Sequence, residues 1–297
     1  MSNVLTLIAN PLARNLDDST IAGAREALAA AGATVSDDIC WLAPAIACDV
    51  EFTGGDVQAA VEAQLAGAAI DVVIQPDAGR RKGLLVSDME STVVTNEFIN
   101  EIAEAAGVGA QVAAITARTI AGEIEFAASL RERVAMLAGL PVAALDRAFE
   151  NMTAMPGARA LIATMTAHGA HTALVSGGFT VFSAHVRTAL GFDCHYANQL
   201  EIAAHHLTGA LIPPLIDRAG KLSRLDALCV DLKLTRVQAM AVGDGANDMD
   251  MLAAAGMGVA FHAEPIVARA AQVSINHGDL TALLYMQGYH ARNIRIA

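Results

Sequence analysis

Three apolar segments of the sequence each end in residues that could act on a phosphate ester. The segment LLVS runs into Asp88, TALV runs into Ser176-Gly177-Gly178, and AMAV runs into Gly243 and Asp244. A carboxylate can attack phosphorus and be released by water, which divides one difficult displacement into two easier ones. Two carboxylates can also share one Mg²⁺, a cation that prefers oxygen ligands. Asp88 and Asp244 therefore predict phosphoryl transfer with a bound magnesium ion.

Further polar residues along the chain fit the same chemistry. Lys221 lies between the second and third segments, and with Ser176 and the amides after Gly177 it could donate to the phosphate oxygens, where charge spreads in the transition state. Glu90 could protonate the leaving oxygen and later take a proton from the attacking water. Each residue alone is ordinary, because Asp and Ser also cap helices and most Lys side chains are solvated. Ser176 is itself expected to cap a helix that begins near Phe179. Their occurrence together in this order, at predicted strand ends, is specific evidence for phosphoryl transfer.

The elements that must position these residues follow from the hydrophobic pattern. Apolar runs of strand length, at 84–87, 172–175, 239–242 and 258–261, alternate with helical patterns. Strands that alternate with helices predict a parallel sheet covered on both faces, with ligands beyond the carboxyl ends of the strands. The fold class predicted for this part of the chain is therefore α/β, with a Rossmann-like parallel sheet.

Two further segments complete the predicted architecture. Residues 95–155 contain no strand pattern and predict three or four helices, inserted as a cap over the strand ends. Residues 198–212 alternate around a turn and predict a hairpin, with His205 and His206 as a surface pair.

Residues 1–80 predict a small separate domain, because a strand, a helix, a strand pair, a helix and a strand follow one another. The turn-forming and charged stretch 76–83 is the predicted linker to a second domain at 81–297.

Composition excludes several classes of protein. The 19 Lys and Arg residues against 31 Asp and Glu give a net charge of −12, which argues against a nucleic-acid partner. No apolar run reaches the roughly 20 residues of a membrane span, and no secretory leader is evident, so a cytoplasmic location with no membrane partner is expected. Four widely spaced cysteines predict buried thiols in a reducing compartment: Cys40, Cys48, Cys194 and Cys229.

The chain resembles the haloacid dehalogenase superfamily, and more narrowly its phosphoserine phosphatases. The resemblance is carried by Lys221 and by three motifs: DMEST (88–92), SGG (176–178) and GDGAND (243–248). The resemblance spans roughly residues 84–290 and includes TNEFINEIAEAAG (95–107) and FAASLRERV (126–134). Residues 1–80 more loosely resemble the amino-acid-binding ACT fold. A homodimer through this first domain is an accompanying expectation.

The resemblance implies a role for each matching residue. It implies that Asp88 forms an aspartyl-phosphate during Mg²⁺-dependent hydrolysis of O-phospho-L-serine, a small phosphoamino acid, in serine biosynthesis. By the same matching, Glu97 contacts the substrate ammonium, Arg133 binds its carboxylate and Phe126 packs over the site.

The resemblance also implies the remaining phosphate and metal contacts. Ser176, Gly177, Gly178 and Asn247 would hold the phosphate. Four residues would form the metal shell, with residue 90 contributing its main-chain carbonyl: Asp88, Glu90, Asp244 and Asp248.

One residue departs from the family pattern, which usually has Asp where this chain has Glu90. Relatives that transfer the phosphoryl group to homoserine carry Glu there, so a phosphoserine:homoserine phosphotransferase is an alternative. Ser91 and Thr92 keep the phosphatase form of the motif and favour hydrolysis. A catalytically weak amino-acid-sensing relative and a phosphatase for another small ester are further alternatives.

Overall fold

The computed structural model describes residues 2–120 and 123–295, which are organised around an antiparallel and a mostly parallel sheet. The strands are β1 (Asn3–Ala9), β2 (Thr34–Ala43), β3 (Ala47–Thr53), β4 (Ile70–Pro76), β5 (Leu84–Ser87), β6 (His171–Phe179), β7 (Cys194–Ala203), β8 (His206–Ile212), β9 (Ala239–Gly243), β10 (Met257–Phe261) and β11 (Val273–Ile275). The helices are α1 (Asp18–Ala30), α2 (Gln58–Gln64), α3 (Phe98–Ala105), α4 (Gly109–Ile120), α5 (Phe126–Ala135), α6 (Ala143–Glu150), α7 (Ala158–Ala167), α8 (Thr180–Leu190), α9 (Arg218–Asp231), α10 (Met249–Ala254), α11 (Pro265–Ala270) and α12 (Ala282–Tyr285).

The larger sheet has the strand order β11-β10-β9-β5-β6-β7-β8, and its strands are parallel except for the β7–β8 hairpin. Every residue of β5, β9 and β10 is buried, as expected for strands covered on both faces. The predicted α/β class is confirmed. Because β5 pairs with both β6 and β9, the three segments that carry the chemistry end side by side.

The predicted helical cap is confirmed, and in the described part of the chain it consists of α3 to α6. We call this insertion the lid. Its two connections to the core run side by side: the Thr95 amide donates to the Thr153 carbonyl, and the Met155 amide donates to the Val93 carbonyl, both at 2.9 Å. The lid is therefore joined to the core by a short, hydrogen-bonded double connection.

The smaller sheet has the order β2-β3-β1-β4, and its elements follow one another in the predicted order. One face packs against α1 and α2, whereas Ile8, Leu42 and Val73 belong to the same apolar cluster as the lid and the larger sheet. Asp71, which is 3% exposed, also accepts hydrogen bonds from the amides of residues 276–278. This segment is thus packed firmly against the rest of the chain.

The predicted burial of the four cysteines is only half correct. Cys48 and Cys229 are buried, but Cys194 is half-buried and Cys40 is exposed. Cys40 lies on β2, whose outer edge has no strand partner among the described residues, so periodicity alone overstates its burial.

The predicted His205–His206 surface pair is confirmed, because both side chains are exposed at the turn between β7 and β8. None of the described helices has the length and apolar character needed to cross a membrane.

Candidate active site

Three carboxylates and one ammonium meet at the carboxyl ends of β5 and β9. Asp88, Asp244 and Asp248 each offer a carboxylate oxygen, and these oxygens lie within 4.8 Å of one another. Lys221, which is fully buried on α9, places its Nζ 2.7 Å from Asp88 Oδ1 and 2.6 Å from Asp248 Oδ1. The structure therefore brings together four predicted residues that are as far as 160 positions apart in the chain.

The charges in this cluster do not balance by themselves. Burial and the charge of Asp88 raise the pKa of Asp244 to about 8 and that of Asp248 to about 7. Burial lowers the pKa of Lys221, but Asp248 and Asp88 outweigh it, so that this pKa lies above its usual range. Three carboxylates against one ammonium leave two negative charges uncompensated when all are ionised. A divalent, oxygen-preferring cation such as Mg²⁺ fits this donor set.

Residues 176–178 form an irregular, bulged part of β6, which we call the 176–178 loop, and they are tightly surrounded. A Cβ atom on Gly177 would lie 3.0 Å from Phe126 Cζ and 3.4 Å from Asn247 Nδ2. Ser176 is 1% exposed, and its Oγ accepts from the Gly178 amide at 2.9 Å. The expected capping of α8 by Ser176 is wrong, because the chain bulges between Val175 and Phe179 and the helix begins only at Thr180.

A cavity of about 310 Å³ opens between the lid and the strand ends. Its wall contains most of the predicted site residues: Asp88, Glu90, Glu97, Phe126, Arg133, Ser176, Gly177, Gly178, Asp244 and Asn247. Arg133 is of special interest, because its Nε is buried with no hydrogen-bond partner among the described residues. A buried donor left in this way is costly unless a ligand pairs with it.

Two predicted residues lie below the cavity rather than in its wall. Lys221 and Asp248 are fully buried and form an ion pair. Asp248 also accepts a hydrogen bond from the Gly245 amide at 3.2 Å. The sequence-based expectation that Lys221 reaches phosphate oxygens stays a prediction. Its ammonium contacts the carboxylate of Asp88.

Glu90 occupies the boundary between the lid and the core. Its Oε1 accepts from the Phe98 amide at 2.7 Å. Burial and the nearby Glu97 raise the pKa of Glu90 to about 8. This raised pKa favours the protonated form of the carboxyl, which is the form that a proton donor to a leaving group needs.

Residues 85–253, more than half of the chain, match the family model of haloacid dehalogenase-like hydrolases. The chain belongs to this family. It is 41% identical to the phosphoserine phosphatase of Lactococcus lactis over 203 residues, which cover 68% of this chain and 94% of that protein. It is 40% identical to a phosphoserine phosphatase of Mycobacterium tuberculosis, over 82% of this chain and 60% of that protein. In five of the curated relatives the chain spans only 58–64% of their length.

Solved structures of this hydrolase family share the whole architecture. A hydrolase of the family from Salmonella enterica serovar Typhi superposes with a TM-score of 0.84 at 27% identity, covering 96% of this chain and 98% of that chain. A probable phosphoserine phosphatase from Vibrio cholerae gives a TM-score of 0.80 at 31% identity, covering 98% and 88%. The likeness therefore extends over the smaller sheet as well as the hydrolase part.

Sequence reasoning used Thr92 only as part of a motif, whereas the structure shows what its side chain contacts. Thr92 is fully buried, and its Oγ1 donates to Asp244 Oδ1 at 2.8 Å. The preceding residue, Ser91, has φ of 52°, a left-handed backbone that a non-glycine residue seldom adopts. Its Oγ donates to Glu97 Oε1 at 2.8 Å. The turn after Asp88 thus supports one carboxylate of the cluster and one of the lid.

Sequence reasoning missed Asn198 entirely. This residue is fully buried on β7, and its Nδ2 donates to the carbonyls of Gly177 (2.8 Å) and Ile216 (3.2 Å). Its Oδ1 accepts from the Ile216 amide at 2.7 Å. Asn198 therefore links the 176–178 loop to the segment that leads into α9 and Lys221. The available signal was a polar residue within a strand pattern.

Proposed function

We propose that the protein is a Mg²⁺-dependent phosphoserine phosphatase that hydrolyses O-phospho-L-serine to L-serine and phosphate. One observation carries the proposal: the carboxylate cluster opens into the same cavity as Glu97 and the partly unpaired Arg133 of the lid. A phosphoamino acid has the complementary groups, with a phosphate at one end and an ammonium and a carboxylate at the other.

In the proposed reaction the Asp88 carboxylate attacks phosphorus, and the bond from phosphorus to the serine oxygen breaks. Glu90 gives its proton to that oxygen, and serine leaves an aspartyl-phosphate behind. Glu90 then takes a proton from water, whose oxygen attacks phosphorus and restores Asp88. The Lys221 ammonium pairs with the Asp88 carboxylate and fixes its Oδ1.

The metal and the lid have separate parts in this proposal. When bound by Asp88, Asp244 and Asp248, Mg²⁺ would offset the negative charge of the carboxylates and of the phosphate. Glu97 would hold the substrate ammonium, and Arg133 would bind its carboxylate with two parallel donors. The surrounding lid would limit access of bulk water to the cavity.

A substrate panel tests the proposal directly. Release of phosphate is measured from phosphoserine, phosphothreonine, p-nitrophenyl phosphate and a sugar phosphate, each with Mg²⁺ and with a chelator. We expect phosphoserine to give the highest kcat/KM and the chelator to stop the reaction. A sugar phosphate that is turned over faster would contradict the assigned substrate.

Arg133→Ala is expected to lower kcat/KM for phosphoserine by about 100-fold, since truncating a buried charged partner costs roughly 2–5 kcal/mol. The rate with p-nitrophenyl phosphate, which lacks an amino acid, should stay within about threefold of the native rate. Arg131→Ala is the matched control, because Arg131 is exposed on the same helix and donates to the Ala127 carbonyl. Equal losses for both phosphate esters would contradict a carboxylate-binding role.

Phosphoryl transfer to homoserine is the second candidate, and the presence of Glu90 is the observation that favours it. Adding homoserine to the phosphoserine reaction and measuring phosphohomoserine separates transfer from hydrolysis. A catalytically weak amino-acid sensor would instead show negligible turnover with saturating Mg²⁺, together with stabilisation by an amino acid in a thermal melt.

The remaining proposals concern the setting of the enzyme. We propose a place in serine biosynthesis, a cytoplasmic location, and domains at 1–80 and 81–297. The element order and the antiparallel sheet of the first segment support an ACT-like domain that binds an amino acid. A homodimer through this domain is tested by light scattering of the native chain at several concentrations.

A further inference from the structure

The first helix of the lid has no capping side chain of its own. Glu97 stands at the N-cap of α3 and makes no side-chain capping bond. The first amides of a helix have no acceptor within it, and a carboxylate suits their partial positive charge. For the Phe98 amide that acceptor is Glu90 Oε1, at 2.7 Å, which comes from the catalytic turn eight residues earlier in the chain.

The other oxygen of the same carboxyl lies against the 176–178 loop. A Cβ atom built on Gly178 would lie 2.6 Å from Glu90 Oε2 and 3.2 Å from its Cδ. The first distance is shorter than a carbon can approach and the second is tight, so a methyl group on residue 178 would push the Glu90 carboxyl aside. Glu90 thus bridges the lid on one side and the phosphate loop on the other.

The start of α3 is itself held on the core. The Phe98 ring is fully buried and stacks on Phe182 of α8, with ring centroids 4.2 Å apart. The Phe98 amide therefore presents a fixed donor rather than a mobile one. A carboxyl bonded to it has a defined position relative to the cavity.

The length of the Glu90 side chain matters for this arrangement. Aspartate would be shorter by one methylene, about 1.5 Å. From the same backbone position it would leave the Phe98 amide about 4 Å from the nearest oxygen, beyond hydrogen-bond distance. The length of the glutamate side chain is therefore what spans the gap to the lid.

We propose that Glu90 is a positioning residue as well as the proton carrier, because its carboxyl ties the first turn of α3 to the phosphate-binding loop. The Phe98 amide holds Oε1, whereas Oε2 faces Gly178. The proton-transfer half of this inference rests on the proposed function. The tie between lid and loop is a property of the protein without substrate.

Two substitutions of Glu90 test the proton transfer and the tie between lid and loop separately. Glu90→Gln keeps the length and an oxygen acceptor but removes the acid, whereas Glu90→Asp keeps the acid and loses the reach. Amide exchange of Phe98, followed by NMR in the substrate-free protein, is expected to be at least 10-fold faster in Glu90→Asp and within about threefold of native in Glu90→Gln. The kcat for phosphoserine should show the opposite order. It should fall by roughly 100-fold or more in Glu90→Gln and stay closer to the native value in Glu90→Asp.

Glu101→Asp is the matched control for exchange, because Glu101 lies on the same helix and its Oε1 accepts from Asn96 instead. Unchanged Phe98 exchange in Glu90→Asp would overturn the tie. Because exchange is measured without substrate, failure of the phosphatase assay cannot be mistaken for failure of the tie.

A double-mutant cycle tests the contact with the loop. Gly178→Ala places a methyl group against Oε2 and is expected to lower kcat/KM at least 10-fold. Glu90→Asp removes that collision, so the double variant should lose no more activity than Glu90→Asp alone. Strictly multiplicative losses would show that the carboxyl and Gly178 act independently, and would contradict the proposed bridge.

Discussion

Asp88→Asn is expected to lower turnover of phosphoserine by roughly five orders of magnitude or more, the scale seen when a covalent nucleophile is removed. The amide has the size of the carboxylate, and its oxygen can still accept from the Lys221 ammonium, which lies 2.7 Å from Asp88 Oδ1. It carries no negative charge with which to attack phosphorus. Phosphate release at enzyme concentrations high enough to detect a residual rate measures the effect.

The fold should survive this substitution. Asp88 raises the pKa of both Asp244 and Asp248 through its charge, so that its removal relieves repulsion in the buried cluster. The thermal midpoint without divalent metal should therefore equal or exceed that of the native protein. Asp250→Asn is the control, because Asp250 follows the same loop but pairs with Arg218 at the surface. Near-normal turnover by Asp88→Asn would overturn the assignment of the nucleophile.

Lys221→Met is expected to lower both activity and stability. The ammonium is fully buried against Asp88 and Asp248, and methionine fills similar space without charge. Removing one partner of a buried ion pair costs roughly 3–5 kcal/mol of unfolding free energy, because the other charge stays buried without compensation. The kcat should fall by about 1,000-fold, as when a group that stabilises transition-state charge is lost.

Denaturant unfolding without divalent metal measures the stability change. Adding Mg²⁺ should recover part of it, since the cation compensates the same carboxylates. Lys233→Met is the control, because Lys233 is exposed just after the same helix. Native stability and activity in Lys221→Met would mean that the cluster does not depend on this ammonium, and would contradict its proposed part in holding the Asp88 carboxylate in place.

Local pattern was sufficient for much of the architecture. Short apolar runs separated by helical periods predict buried parallel strands, and the carboxyl ends of neighbouring parallel strands share one edge of the sheet. This geometry is why residue type and spacing are enough to place Asp88, Ser176 and Asp244 together. The helical cap followed in the same way from a long segment without strand pattern.

Hydrogen bonds between residues far apart in the chain could be identified only from the tertiary structure. Asn198 contacts Gly177, 21 positions away, and Thr92 contacts Asp244, 152 positions away. No periodicity encodes such pairs, because each depends on how two loops are brought together by the sheet. The same holds for Ser176, whose role as a helix cap was excluded by a bulge in β6.

By itself, the sequence predicted which side chains reach the strand ends and the class of chemistry that is proposed for them. Only the tertiary structure decided that Lys221 lies beneath Asp88 and that Glu90 bonds to the lid. The physical reason is that residue type and spacing act locally, whereas burial, charge balance and the partner of a donor depend on segments that meet only after folding.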